Sequence, residues 1–385
     1  MVAQLTKTWD DRRIKQDRVA LLQAEMRRQN VGGLYITDDV YRRYALNLSV
    51  PGGKVFVPAE GDAVAIVRKR DLGYVQLQHD RVHPPIGKEN EDERLDGGAS
   101  TNKFAAGMVA LLAELGLQDE RIGVDSLSPS GFAALARAEI DVVDAAPIIE
   151  RAWSVKTTDE VEIFRTIGQQ YVDTMAAFRD AIRPGVSEID LATVVTKTWY
   201  EVGGEDVAQL NICSGENMNP WKRWPSERKL QAGEFVGIDF HGRGINGLRG
   251  DAGTTFFVGD NPTAEQRDLY RRAYDYLWAN VDLMRAGRTI ADATAMVPRV
   301  PDKYLAQLEN YNIAHGTGMG SSGYPHMDPK DDPIDDVIQL NQVLAVECYF
   351  GEEGSPVAVK LEEQIVVRDG APEVLGGMPF DERLL

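Results

Sequence analysis

EFVGIDFHGRGINGLRGDAGTTFFVGD (residues 234–260) is the stretch on which the reading of this chain turns. Two runs rich in Phe, Val, Ile and Thr flank a Gly-rich segment, GRGINGLRG (242–250), and read as two strands and a turn. Asp is a poor strand former, yet Asp239 interrupts the first run and Asp251 opens the second. Side chains alternate along a strand, so Val236, Ile238 and Phe240 face one way, into a core. Asp239 and His241 face the other way together. A hairpin would bring Asp251 opposite Asp239. Two carboxylates that close repel each other, and one pKa rises unless a cation neutralises them. A divalent metal ion does so directly.

The same anomaly recurs downstream. NQVLAVECYF (341–350) is an apolar strand interrupted by Glu347, and VAVKLEEQIVV (357–367) is one interrupted by Glu362 and Glu363. By alternation Glu362 shares a face with Lys360 and Gln364, and Glu363 with Leu361 and Ile365. Burying unpaired carboxylates is costly. NIAHGTGMGSSGYPHMDP (312–329) adds His315 and His326 in what reads as a Gly-rich loop. HGTGMG lacks a Lys-Ser/Thr ending and is not a phosphate loop. Mixed carboxylate and imidazole donors suit Mn, Fe, Co or Zn better than Ca.

At 385 residues the chain is long enough for two domains, and its 43% hydrophobic share supports real cores. The formal net charge of −18 repels phosphate backbones, which excludes nucleic acid as an expected partner. The acidic run KENEDERLD (88–96) reads as a solvated surface. The first residues have no apolar signal-peptide core, and no apolar run reaches the roughly 18 residues of a membrane span. Two cysteines, Cys213 and Cys348, make no disulfide scaffold, so a cytoplasmic home is expected.

Residues 11–30 read as a helix, and GLYIT (33–37), AVAIV (63–67) and RIGVDS (121–126) as strands separated by helical patterns. This predicts an α/β domain over 1–155, with His79 and His83 on a solvated loop or strand end. Past Lys156, Thr157 and Glu160 have capping-box spacing, and Val161, Phe164, Gly168, Tyr171, Met175 and Phe178 recur on one helical face. Ser187 is a plausible cap for a second helix. Strands follow near 207–213, 234–241, 251–258, 342–350 and 358–367, with a helix near 263–286. An α+β domain with a curved, mostly antiparallel sheet is predicted over 156–385.

Asp239, Asp251, His315, Glu347 and Glu362 together resemble the five-ligand set of the creatinase/aminopeptidase ("pita-bread", M24 metallopeptidase) family. VKTTDEVEIFR (155–165) resembles its domain junction and AVECYFGEEGSPVAVKLEEQIVV (345–367) its closing hairpin. The resemblance implies a creatinase-like N-terminal α/β domain, a pita-bread catalytic domain, a homodimer, and one or two divalent ions that polarise a carbonyl and generate hydroxide. Departures are informative. Where proline-specific members carry a histidine after SGxN, this chain reads ICSGENMNPWKRWP (212–225), with Pro220, Trp221 and Lys222. The arginine that commonly follows the second ligand Asp is also missing, since the chain reads DAGTTF (251–256). His326 keeps the place of the peptidases' second catalytic histidine.

SGENMNPW, the Asp239-to-Asp251 spacing, KLEEQ and the terminal MPFDERLL resemble most the dimethylsulfoniopropionate lyase branch of the family. There an extra Asp two residues past the first ligand binds metal. Here that place is His241, either a sixth ligand through nitrogen or a hydrogen-bond partner of a ligand carboxylate. The lyase's base falls on Ser321, and a serine without an activating base does not readily take a proton from carbon.

The resulting expectation is a metal-dependent enzyme on a small molecule, hydrolysing an amide or amidine C–N bond or carrying out a lyase elimination. His326, Glu347 and His241 would serve as catalytic groups, and Trp221, Trp224 and Tyr324 would shape the substrate pocket. The alternatives are an Xaa-Pro aminopeptidase or dipeptidase, and a metal-free or inactive binding protein.

Overall fold

The computed structural model describes residues 7–87, 98–308, 313–320, 323–328 and 335–385. The acidic run at 88–96 and Ser321 lie outside the described residues. The chain forms two compact units, one of Asp10–Trp153 and one that includes Ser154–Leu385. No described helix is long and apolar enough to cross a membrane.

The first unit is built on strands β1 (Gly33–Ile36), β2 (Lys54–Pro58), β3 (Val64–Ile66), β4 (Val82–His83), β5 (Ile122–Val124) and β6 (Val142–Asp144), in the sheet order β4-β3-β2-β1-β5-β6. Helices α1 (Asp11–Gln29), α2 (Asp39–Leu46), α3 (Leu72–Val75), α4 (Ala99–Leu115), α5 (Pro129–Arg137) and α6 (Ala146–Ser154) alternate with them. β1 runs antiparallel to β2 and parallel to β5, and the parallel neighbours β5 and β6 are joined through α5. Phe56, Phe104, Ile122 and Leu135 meet in its core. β2, β4 and β6 add to the strands expected from the sequence. His79 departs from expectation: it is buried, with Nε2 2.9 Å from Leu46 O. A buried imidazole needs such a partner.

The second unit opens with α7 (Thr158–Ala181) and α8 (Glu188–Glu201). Thr157 Oγ1 accepts from Glu160 N at 3.2 Å while the Glu160 carboxylate accepts from Thr157 N at 2.9 Å, so the capping box forms. Ser187 and Asp190 form a second one on α8. Val161, Phe164, Gly168, Tyr171, Met175 and Phe178 are all buried.

Strands β7 (Asp206–Ser214), β8 (Phe235–Arg243), β9 (Ala252–Phe257), β10 (Ala314–Gly316), β11 (Gly323–Met327), β12 (Val343–Gly351) and β13 (Ala358–Val366) form an antiparallel sheet in the order β11-β10-β12-β13-β9-β8-β7. The short β14 (Glu373–Val374) pairs with β13. Helices α9 (Ala264–Val281), α10 (Ile290–Ala295) and α11 (Asp302–Leu308) come between β9 and β10. The expected loop around His315 and His326 is instead the β10–β11 pair, because His315 and His326 lie opposite each other in register.

Helices cover one face of this sheet. Tyr171 and Trp199 pack on Phe240 with ring centroids 5.2 and 5.0 Å away, and Ala273 and Leu277 of α9 join Leu344, Val346 and Cys348 of β12 in one core. These are the strand residues that alternate with Asp239 and Glu347, so the acids stand on the opposite face. The C-terminal segment is strapped down by two acids: Glu363 accepts from Met378 N at 2.9 Å, and Asp381 from Phe257 N at 3.0 Å.

Candidate metal centre

One row of the sheet carries most of the site. Asn211 pairs with Asp239, Asp239 with Gly253, Gly253 with Glu362, and Glu362 with Glu347, across β7, β8, β9, β13 and β12. Paired residues in adjacent strands project to the same side. Gly253 sits in the middle, and a Cβ there would come within 3.3 Å of Glu362 Oε2 and 3.1 Å of Ile238 O. Glycine leaves that space to the carboxylates. The next row brings in Asp251 and His241. Register places Asp251 level with His241 and not opposite Asp239, a two-residue correction to the expected hairpin.

His241 uses both ring nitrogens. Its Nε2 is 3.0 Å from Asp239 Oδ1 and its Nδ1 is 2.9 Å from Asp251 Oδ2. His315 reaches in from β10, with Nε2 3.7 Å from Asp251 Oδ2, 3.6 Å from Glu347 Oε1 and 4.0 Å from Glu362 Oε1. Its Nδ1 lies 3.3 Å from Gly316 O, which orients the ring and leaves Nε2 to the acids. Two groups of donors are close enough to share an ion: Asp239, His241 and Asp251, and Asp251, His315 and Glu362. Ligands about 2.1 Å from one ion stand roughly 3–3.5 Å apart, so these spacings need only small closing movements.

Asp239, Asp251, His315, Glu347 and Glu362 are each no more than 8% exposed. Asp239 Oδ1, both Asp251 oxygens and Glu362 Oε2 have no partner in hydrogen-bond geometry. Buried carboxylate oxygens left in this way are what a divalent cation satisfies. The donor set therefore fits a transition-metal ion.

Lys360 is the group that sequence reasoning placed on the right face but did not use. It is 1% exposed, ion-paired with Glu347, and its Nζ is 3.2 Å from Glu362 Oε2. Asn211 was missed; its Nδ2 donates to Asp239 Oδ2 at 3.1 Å. Its signal was the alternation of LNICS, one strand before the quoted hairpin.

The charges act on one another. Burial alone would lower the His241 pKa, but the Asp251 and Asp239 carboxylates push it up to about 11. Burial pushes Asp239 up, yet His241 and Lys360 together hold it below the usual carboxylate range. Burial and then the Asp251 charge push Glu362 well above that range. Glu363, on the other face, is pushed up to about 8 by burial.

The remaining expected residues fall around this cluster. His326 is exposed, its ring centroid 6.4 Å from that of His315. Trp221 is half-buried against Gly237, which alternates with Asp239, and against Tyr349, which alternates with Glu347, at a centroid distance of 5.9 Å. It thus stands on the acid face. Tyr324 is half-buried and its hydroxyl donates to Asp336. Trp224 is 70% exposed on the surface of the loop beyond Trp221.

That loop has a hub which sequence reasoning did not find. Glu188, fully buried at the start of α8, accepts from Ser214 N and Oγ at 2.8 and 2.7 Å, Asn217 Nδ2 at 3.0 Å, and Ser226 N and Oγ at 3.0 and 2.6 Å. Both ends of the 214–226 loop are tied to one carboxylate.

Residues 162–369 match the profile of Metallopeptidase family M24, and residues 18–153 that of the Creatinase/Prolidase N-terminal domain. Among curated relatives, the dimethylsulfoniopropionate lyase DddP of Roseovarius nubinhibens is 25% identical over 74% of this chain and 66% of the lyase. The match to the enzyme of the same name from Roseobacter denitrificans, 26% identical, spans 69% of this chain and 61% of that protein. The chain thus spans just under two thirds of the length of these relatives. Among solved structures, the Xaa-Pro dipeptidase from Bacillus anthracis superposes with a TM-score of 0.81 at 20% identity, covering 95% of this chain and 99% of that one. The prolidase from Pyrococcus horikoshii does so with a TM-score of 0.77 at 17% identity over 95% and 99%. These likenesses show the fold: a creatinase-like N-terminal domain followed by a pita-bread domain.

Proposed function

The chain belongs to metallopeptidase family M24, and from that premise we propose that it is a metal-dependent enzyme hydrolysing the C–N bond of a small amide or amidine. The observation that carries this reading is the convergence of four buried carboxylates and the His315 imidazole from separate strands, with several carboxylate oxygens outside hydrogen-bond geometry. Asp239, Asp251, His315, Glu347 and Glu362 would hold the ion, Mn, Fe, Co or Zn, which supplies Lewis acidity to the substrate carbonyl and activates water.

The chain's own residues supply the rest. Glu347, held by Lys360, accepts the proton released by the attacking water. His326, opposite His315 on the sheet edge, returns a proton to the leaving nitrogen. His241 holds the two aspartates in place through both nitrogens, or joins them as a ligand through one. Trp221 and Tyr324 shape the pocket, with Trp224 at its outer edge. The family supports a homodimer, the catalytic domain is taken as 156–385, and the two buried free thiols, Cys213 and Cys348, support a reducing compartment such as the cytoplasm.

Similarity to the two lyases favours a second reading, elimination beside a metal-polarised carboxylate. Hydrolysis is placed first because the position of the lyase's base is Ser321. Xaa-Pro peptidase work is disfavoured by the absence of a histidine from 214–225 and by Ala252 after Asp251. Elemental analysis of protein purified without added metal or chelator comes first, followed by turnover of amides, amidines, dimethylsulfoniopropionate and an Xaa-Pro dipeptide with added Mn. Absence of transition metal that added metal does not restore would remove the metalloenzyme reading. Faster turnover of the dipeptide than of every other substrate would restore the peptidase.

A further inference from the structure

The β8–β9 hairpin carries two arginines that form no ion pair with any described acid. Arg243 and Arg249 bridge each other, and they continue the register that pairs Asp239 with Gly253. Along β8, Asp239, His241 and Arg243 alternate onto one face, as do Asp251 and Arg249 across from them. Both guanidinium groups therefore belong to the face that bears the carboxylate cluster. The backbone N–H of Arg249 also donates to Gly318 O at 2.6 Å, which ties this end of the hairpin to the loop after His315.

Among the described residues three arginines are buried: Arg18, Arg42 and Arg249. Arg18 donates to Asn47 Oδ1, and Arg42 donates to Thr37 O and Gly53 O and pairs with Asp39. Arg249, 8% exposed, has no such partner. Its Nε–H is buried without an acceptor, as is that of Arg243, and no described acid forms an ion pair with either. Burying a guanidinium costs several kcal/mol unless an anion or acceptors receive it. Two like charges set side by side raise that cost.

We propose that Arg249, assisted by Arg243, receives the carboxylate of the substrate, so that the enzyme acts on small carboxylic acids whose scissile bond then lies over the carboxylate cluster. A planar guanidinium fork matches a carboxylate in geometry as well as charge. Without that anchor, four like-charged acids beside the pocket would repel an anionic substrate. This inference rests on the metalloenzyme reading above.

The test uses the Mn-loaded full chain with propionate, propionamide and inorganic phosphate as probes, followed by ligand-observed NMR. Mn affinity is measured separately on every variant. Propionate should bind and propionamide should not. Arg249→Met should weaken propionate at least about tenfold while Mn affinity is kept, with Arg249→Lys and Arg243→Met intermediate. Equal propionate binding in wild type and Arg249→Met would place the carboxylate on the ion alone and overturn the proposal. So would Arg249-dependent binding of phosphate that exceeds propionate. If Arg249→Met does not fold, Arg249→Lys and Arg243→Met decide: wild-type affinity in both overturns it. Failure of wild type to bind Mn would instead count against the metalloenzyme reading.

Discussion

Glu347 and Glu362 lie directly opposite each other on β12 and β13, a cross-strand pair of like charges in the centre of a sheet. Such a pair is destabilising unless a cation lies between or beside its members. Lys360, two residues before Glu362, contacts both.

Lys360→Met should therefore destabilise the metal-free protein by about 3–5 kcal/mol, the cost of leaving a buried ion pair half empty. Saturating Mn should restore most of the lost Tm, because a bound cation takes over the neutralisation. Thermal melts of wild type and variant, with and without Mn, measure both effects. A melting temperature unchanged without metal would show that Lys360 does not neutralise the pair.

Asp251→Ala should abolish metal binding and activity together. Asp251 belongs to both groups of candidate ligands, and neither of its oxygens has another hydrogen-bond partner. Metal affinity should fall by more than about a hundredfold, beyond the loss seen when only a partner of a ligand is removed. Calorimetric titration with Mn, with circular dichroism as the check on folding, reads this directly.

Glu188→Gln should act at a distance from the ion. An amide oxygen is a weaker acceptor than a carboxylate, and the NH2 group replacing the other oxygen would face a donor, either Ser214 N or Ser226 N. A loss of about 2–3 kcal/mol in stability is expected. Since the tethered loop carries Trp221, KM should rise while metal content stays constant. Unchanged KM would reduce Glu188 to a purely structural role.

Stability should depend on pH through Glu373. The side chain of Arg165, aided by Arg368, holds its carboxyl down at about 2, against an ordinary glutamate value of about 4.3. A depressed acid stabilises the fold above its ordinary value and loses that contribution as pH falls through the folded value. The Tm gap between wild type and Glu373→Gln should be widest at neutral pH and close between about pH 4.3 and about pH 2. Glu373 is solvent-screened, so the gap should correspond to less than about 1 kcal/mol. A gap independent of pH would show that the ion pairs contribute nothing.

Much of this molecule was legible in one dimension, and the reason is periodicity. Strand alternation put Asp239 with His241, and Glu362 with Lys360, on shared faces, and helical spacing picked out the buried face of α7. An acid inside an apolar strand is visible because both the strand and the cost of burying charge are local facts. Register between strands is not local. The quoted hairpin does not reveal that Asp251 stands level with His241, that Gly253 opens the floor between Asp239 and Glu362, or that Arg243 and Arg249 meet with no ion pair to a described acid. Nor does helix α8 alone reveal that Glu188 gathers donors from a loop more than twenty residues away. The sequence by itself determined the two kinds of domain and the acids of the candidate metal site, since each follows from the pattern of neighbours along the chain. Only the tertiary structure decided which charges answer one another, because that depends on distances set by strands far apart in sequence.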